Sequence, residues 1–157
     1  MPVQSLVLHN RHNLLIILLI TFFLTGCSDM KPIDFDFKKL VRDSKPNSYL
    51  VCPDDYCNTR IDQVAPVYSM NVKSLVTAWQ QMITSQPRTH LLSHAQPLSY
   101  QYVQYSRFFH FPDYIDVAFI PLTDKTSTLA IYSRSVYGHY DFRVNEKRVQ
   151  SWMHALR

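Results

Sequence analysis

Residues 113–136 read DYIDVAFIPLTDKTSTLAIYSRSV, and their pattern is the clearest indication of the fold class. Residues 113–121 and 127–136 are rich in Tyr, Phe, Val, Ile and Thr with period-two character, and the polar run Thr123-Asp124-Lys125 separates the two segments. This pattern is typical of two antiparallel strands joined by a turn. One face of the pair then carries large apolar side chains that a core must cover, namely Ile115, Val117, Phe119, Leu129 and Ile131.

The other face of these strands carries Tyr114, Asp116, Tyr132 and Arg134. We consider two interpretations of it. It is either ordinary solvated sheet surface, on which Asp116 and Arg134 form a cross-strand ion pair that contributes little to stability, or an open face that binds a ligand or a partner.

Further strand-like segments flank this pair. Residues 88–95 and 98–106 are rich in tyrosine, valine, leucine and histidine and are bounded by prolines. A shorter segment, residues 65–69, precedes the first helical pattern. We expect the four longer segments to form a meander of antiparallel strands.

Two segments have helical periodicity. Apolar residues recur at three- and four-residue spacing from Val72 to Ile83, where Asn71 can cap the helix and Pro87 can end it. A second helix is predicted after Asn145, with Val149, Trp152, Met153 and Leu156 on one face. The order of segments predicts an α+β fold, with an antiparallel sheet of about five strands and two helices packed on one face, as a single domain over residues 46–157.

The N-terminus has the features of an export signal. The apolar run from Leu14 to Leu24 is about half as long as a bilayer-spanning helix requires, which favours a signal peptide over residues 1–26. Leu24-Thr25-Gly26-Cys27 resembles the bacterial lipobox, which implies lipidation of Cys27. The alternative is an ordinary signal peptide cut near Gly26. By resemblance to Gram-negative lipoproteins, Ser28 favours sorting to the outer membrane. The inner membrane is the alternative location.

Residues 27–45 are interpreted as the lipidated cysteine and a tether, because the segment is polar and mixed in charge. Its extended length of roughly 60 Å would let the domain stand off the membrane. The alternative is an added edge strand, since Ile33, Phe35 and Phe37 alternate with charged residues.

Composition excludes several classes of function. The net charge of +4 is small and scattered, which excludes the basic patch of a nucleic-acid binder. The two glycines, Gly26 and Gly138, cannot form a dinucleotide fingerprint, a P-loop or a nucleophile elbow. Glu146 is the only glutamate, so neither a glutamate-based zinc protease motif nor a glutamate pair of a glycosidase can be present.

Several strings resemble a bacterial family known as domain of unknown function 1499, whose members are often envelope or lipid-anchored proteins. The matching strings are Pro46-Asn47, Phe109-His110-Phe111-Pro112-Asp113, and Arg134-Ser135 followed by Gly138, Asp141, Val144-Asn145 and Arg148. The sequence departs from the family at Tyr137, where an arginine is usual, and at Arg143, where a second glycine is usual. The resemblance supports the fold and an envelope location, and it implies no activity.

The same C-terminal string contains the candidate ligand-binding residues Arg134, Asp141, Asn145 and Arg148. An anion could be held between the two arginines and the free N–H groups of the last helix. The structural interpretation makes Asn145 the N-cap, places Gly138 at a positive φ, and pairs Asp141 with Arg134 to fix the loop.

Cys52 and Cys57 flank the turn-like stretch Pro53-Asp54-Asp55-Tyr56. In an exported chain a local disulfide is the favoured outcome. A redox pair is disfavoured because the spacing is not Cys-x-x-Cys, and a metal site built from both thiols is a further alternative.

The histidines have no metal-ligand spacing, and we predict neither a metal nor a cofactor. His139 and Asp141 beside Ser135 are the only residues that suggest a catalytic group. We therefore expect a non-catalytic lipoprotein of the bacterial envelope, facing the periplasm, that contacts the membrane through its lipid anchor. It would bind an anionic small molecule, an envelope component or a protein, and no nucleic acid. The alternative is an envelope hydrolase that uses His139 and Asp141.

Overall fold

The computed structural model describes residues 30–156. The strands are β1 Ser48–Cys52, β2 Gln63–Val64, β3 Thr89–Gln96, β4 Ser99–Tyr105, β5 Pro112–Pro121 and β6 Ser127–Ser135, and the helices are α1 Val72–Thr84 and α2 Val144–Ala155. The predicted signal peptide and the candidate lipidation site Cys27 lie outside the described residues.

The strands form one six-stranded sheet in the order β2-β1-β6-β5-β4-β3. All neighbouring pairs are antiparallel except β1 and β2, which are parallel. The α+β prediction is confirmed, with one strand more than expected. That strand is β1, whose sequence SYLVC we did not predict to be extended. The short strand expected over 65–69 is also displaced, since β2 is Gln63–Val64 and Tyr68 forms an isolated bridge with Ser127.

Both helices pack on the same face of the sheet, as predicted. The core on this face includes the five apolar side chains expected from β5 and β6. Trp79 of α1 lies at its centre, with its ring 5.7 Å from those of both Phe119 and Trp152. Asn71 caps α1, because its side chain accepts a hydrogen bond from Ser74 N at 2.9 Å.

The second face of the sheet is covered, and here the sequence interpretation is wrong. Residues 31–41 cross it without forming a strand, and Phe35, Phe37 and Leu40 belong to a second core with Leu50 and Tyr132. The folded unit therefore begins at Lys31, and the residues after it are neither a free tether nor an added edge strand. The physical reason is that this face presents apolar area at Leu50, Ala118 and Ala130 that must be removed from water.

Cys52 and Cys57 form a disulfide with a Cα–Cα distance of 6.3 Å. Both cysteines lie in the second core. The bond therefore holds the turn after β1 beside the covering segment.

Candidate functional site

Arg148 lies on the helix-covered face, at the end of the sheet where β5 begins. Its Nη2 donates to Asp113 Oδ2 at 2.6 Å, its Nε donates to Gln104 Oε1 at 2.6 Å, and its Nη1 donates to Ser133 Oγ at 2.8 Å. The residue is only 9% exposed. A guanidinium bonded in this way to buried partners fixes α2 to β4, β5 and β6, and it offers no free donor face to an anion.

Asn145 is fully buried beside Arg148. Its Oδ1 accepts hydrogen bonds from Ser133 Oγ and Arg148 Nη1, each at 2.6 Å, and its Nδ2 donates to Asn47 O at 3.1 Å. We call Asn47, Asp113, Ser133, Asn145 and Arg148 the buried polar cluster.

Asn145 is not the N-cap of α2, so that prediction is wrong. The helix begins at Val144, and the cap residue is Arg143, in the left-handed conformation with φ 61°. Asp141 takes over the capping bonds, since its Oδ1 accepts from Arg143 N at 3.0 Å and its Oδ2 accepts from Asn145 N at 2.8 Å. The Asn145 side chain is thereby left free to bond within the core.

Arg134 lies on the opposite face of the sheet from Arg148. Its Nη1 donates to Asp116 Oδ2, and its guanidinium lies within 5.3 Å of the ring centres of Phe35, Tyr114 and Tyr132. Burial raises the pKa of Asp116, and the Arg134 charge opposes that rise. The Asp116–Arg134 pair is thus present, but on a covered face.

The two arginines therefore cannot hold one anion, and Arg134 does not pair with Asp141. The sheet face on which we expected a ligand or partner is covered at Asp116 and Tyr132 by residues 31–41, and a groove of about 820 Å³ remains between this segment and β4. The anion-site prediction failed because Arg134 and α2 lie on opposite faces of the sheet, and the open-face prediction failed because it treated the N-terminal segment as separate from the domain.

The residues suggested for hydrolysis are not assembled. His139 is exposed, and within residues 30–156 no hydrogen bond joins it to Asp141 or Ser135. The Ser135 hydroxyl accepts from Asn145 Nδ2 at 3.1 Å. No group of three or more histidine, cysteine, aspartate or glutamate side chains in the described part of the chain could hold a metal ion.

A cleft of about 730 Å³ lies between residues 42–49, residues 59–62 and the start of α2. Two ion pairs line it: Arg42 with Asp62 at 2.8 Å, and Arg143 with Glu146 at 2.6 Å. The hydrogen bond from Arg143 lowers the pKa of Glu146. Because cations and carboxylates neutralise each other here, the cleft has no clear preference for an anion.

The most unusual surface is formed by two loops at the same end of the sheet. Residues 106–111 join β4 to β5, and residues 136–143 join β6 to α2. Six of their aromatic side chains are half or more exposed: Phe108 78%, Phe109 77%, Phe142 76%, Tyr137 60%, Phe111 54% and Tyr140 51%. We call these six residues the aromatic loop end.

The backbone holds these rings in fixed positions. Phe111 N donates to Ser106 Oγ at 2.9 Å, Val136 N donates to Pro112 O at 3.1 Å, and Asn47 Nδ2 donates to Gly138 O at 2.7 Å. The rings of Phe111 and Tyr137 lie 6.5 Å apart and connect the two loops. The two loops therefore meet at Phe111 and Tyr137, and Tyr140 and Phe142 form a further ring pair 5.1 Å apart.

Three residues of these loops other than glycine have a positive φ: His110 at 53°, Phe142 at 56° and Arg143 at 61°. Such conformations are uncommon for side chains of this size and cluster at functional sites. Gly138, at φ 87°, has the positive value that its place in a turn predicts.

This surface was not predicted from the sequence. The available signal was Phe108-Phe109-His110-Phe111 in a segment between two strands, since turns are normally polar. We used part of that string only for a family resemblance.

Comparisons with known proteins agree with that resemblance. The model of one family, described as "Protein of unknown function (DUF1499)", matches residues 41–156. The matched range includes every strand and both helices, and it begins after most of the segment that covers the second face. The search of curated proteins and the search of solved structures each gave no match. Neither helix in residues 30–156 has the length and apolar character needed to cross a bilayer.

Proposed function

This chain belongs to the DUF1499 family of proteins of unknown function, and the family description assigns no activity. We propose that the protein is a non-catalytic, lipid-anchored module of the bacterial envelope. It binds an envelope component, and the binding surface is the aromatic loop end. The anchor is Cys27, and the module faces the periplasm, with Ser28 favouring the outer membrane.

The exposed rings are the observation that supports this proposal. Soluble monomers rarely leave a contiguous group of large apolar side chains in water, and such patches mark sites of interaction. Here the rings lie on two loops whose ends are held by backbone hydrogen bonds, and Phe142 has a positive φ. Exposed rings and a positive φ at Phe142 do not help the domain to fold, so a role in contact is the better explanation.

The anchor is supported by the sequence before the described residues. An apolar run too short to span a bilayer ends at Leu24-Thr25-Gly26-Cys27, as in bacterial lipoproteins. The acyl chains on Cys27 would hold the module at a membrane, where an envelope component is present at high effective concentration.

Photo-crosslinking in the producing cell tests the proposal. A benzophenone amino acid replaces Phe109 in the full chain, and a matched control replaces Leu122, which is 48% exposed in the turn at the other end of the sheet. We expect crosslinked products from position 109 and none from position 122. Adding Phe108→Ser and Phe142→Ser should remove the products and leave the melting temperature unchanged, because exposed side chains contribute little to stability.

Mass spectrometry of the N-terminal peptide tests the anchor in the same samples. We expect a chain that begins at an acylated Cys27. An unmodified Cys27, or equal crosslinking from positions 109 and 122, would contradict the proposal.

A further inference from the structure

We infer that the envelope component bound by the aromatic loop end is the phospholipid bilayer itself, on the membrane that holds Cys27. The inference rests on the proposed function and specifies its partner. The rings would enter the boundary between headgroups and acyl chains, so the domain has a fixed orientation on the membrane.

The path of the chain supports this orientation. Lys31 lies near the end of the sheet that carries the aromatic loop end, because its carbonyl oxygen accepts a hydrogen bond from Tyr114 Oη at 2.7 Å and Tyr114 is the third residue of β5. Only four residue steps separate Cys27 from Lys31, a reach of at most about 14 Å. An acylated Cys27 therefore keeps this end of the sheet near the lipid.

The opposite end of the sheet is too far away to share that contact. β5 has ten residues, so the turn that follows it lies about 33 Å from the loop that precedes it. The exposed rings are thus concentrated at the end of the domain that a short anchor holds close to the membrane.

The chemistry of the two loops also suits a lipid interface. Phenylalanine and tyrosine gain free energy when they leave water, and tyrosine keeps its hydroxyl among the headgroups. Residues 106–111 contain no carboxylate, and both carboxylate oxygens of Asp141 accept internal N–H groups. Exposed Arg107 lies over the ring of Phe108 at 5.6 Å, where it can pair with an anionic headgroup.

Tryptophan fluorescence tests the contact directly. The full acylated chain, extracted from the envelope in detergent, is reconstituted into vesicles of phosphatidylethanolamine and phosphatidylglycerol with or without bromine on the acyl chains. Phe109→Trp and Phe142→Trp place one reporter in each loop, and Leu122→Trp is the matched control at the far end. The signal of the unsubstituted protein, from buried Trp79 and Trp152, is subtracted.

We expect brominated lipid to remove most of the added emission from both loop variants and none from the control. Equal quenching of all three variants, or no quenching in the loops, overturns the inference. If Phe109→Trp lowers the melting temperature, Phe108→Trp replaces it.

The outcomes separate this inference from the proposed function. An unmodified Cys27 overturns both. An acylated Cys27 with unquenched loop reporters, together with a crosslink from position 109 to a protein, overturns only the bilayer contact and leaves a protein as the bound component.

Discussion

Arg148 and Phe142 are neighbours in the sequence, yet they have opposite environments. The arginine is 9% exposed and bonded to three buried side chains and to half-buried Gln104, whereas Phe142 is 76% exposed. The usual preferences of charged and aromatic residues are reversed here. In this segment, the residues that resemble a binding site stabilise the fold, and the residues that resemble a core are available for binding.

The energetics of burial explain why the buried polar cluster is structural. A buried guanidinium is tolerated only when a counter-charge and hydrogen bonds replace the water it loses. Asp113, Gln104, Ser133 and Asn145 supply these to Arg148. A ligand would have to displace bonds that the fold already requires.

The largest expected effect belongs to Arg148→Ala. The substitution leaves Asp113 buried without its counter-charge, which we expect to lower the free energy of unfolding by about 3–5 kcal/mol. Urea unfolding measures it. Arg107→Ala, in the exposed loop, is the matched control and should shift the midpoint little. Equal urea midpoints for the two variants would mean that buried Arg148 contributes no more to the free energy of unfolding than exposed Arg107 does.

Asn145→Ala comes second. It removes the oxygen that accepts from the Ser133 hydroxyl and from Arg148 Nη1, and one of the two hydrogen bonds to Asn47 O, a loss of about 1–3 kcal/mol. The matched variant is Asn71→Ala, which removes a true helix cap at a cost of about 1 kcal/mol. Thermal unfolding of both variants tests the distinction. A loss at Asn145 no greater than that at Asn71 would restore the capping role that the sequence suggested.

Much of the sheet was predictable because alternation is a local signal. The division of β5 into Ile115 and Val117 on one face and Tyr114 and Asp116 on the other follows from the pleat alone. The start of α2 was not predictable in this way. An arginine with φ 61° at position 143 takes the cap position, and no local pattern indicates that an arginine adopts this conformation.

The cover of the second face depended on contacts distant in sequence. Phe35 lies in a charged segment, and its burial comes from stacking with Arg134 and Tyr132, roughly a hundred positions later. The aromatic loop end was missed for the converse reason. Phe108 and Phe109 are residues of a type that is usually buried, and only the tertiary structure shows that they lie outside the core.

The smallest expected effect belongs to the exposed ion pair of the same segment, Arg143 with Glu146. The pKa of Glu146 is lowered, mainly by the hydrogen bond from Arg143. Its stabilising contribution is therefore present above the unfolded value of about 4.3 and is lost as the pH falls through the lower folded value. We expect Glu146→Gln to lower the melting temperature slightly at pH 7, far less than Arg148→Ala does.

This difference between wild type and Glu146→Gln should narrow below about pH 4, and it should narrow at pH 7 when salt is added, because solvent and ions screen an exposed pair. The difference caused by Arg148→Ala should persist in salt, since ions do not reach the buried polar cluster. Melting curves at both salt concentrations measure the two differences side by side. Two results would contradict this prediction: a melting-temperature difference for Glu146→Gln that grows in acid, or one that persists in salt as that of Arg148→Ala does. Either result would mean that the Arg143–Glu146 pair stabilises the fold in the way that the buried polar cluster does.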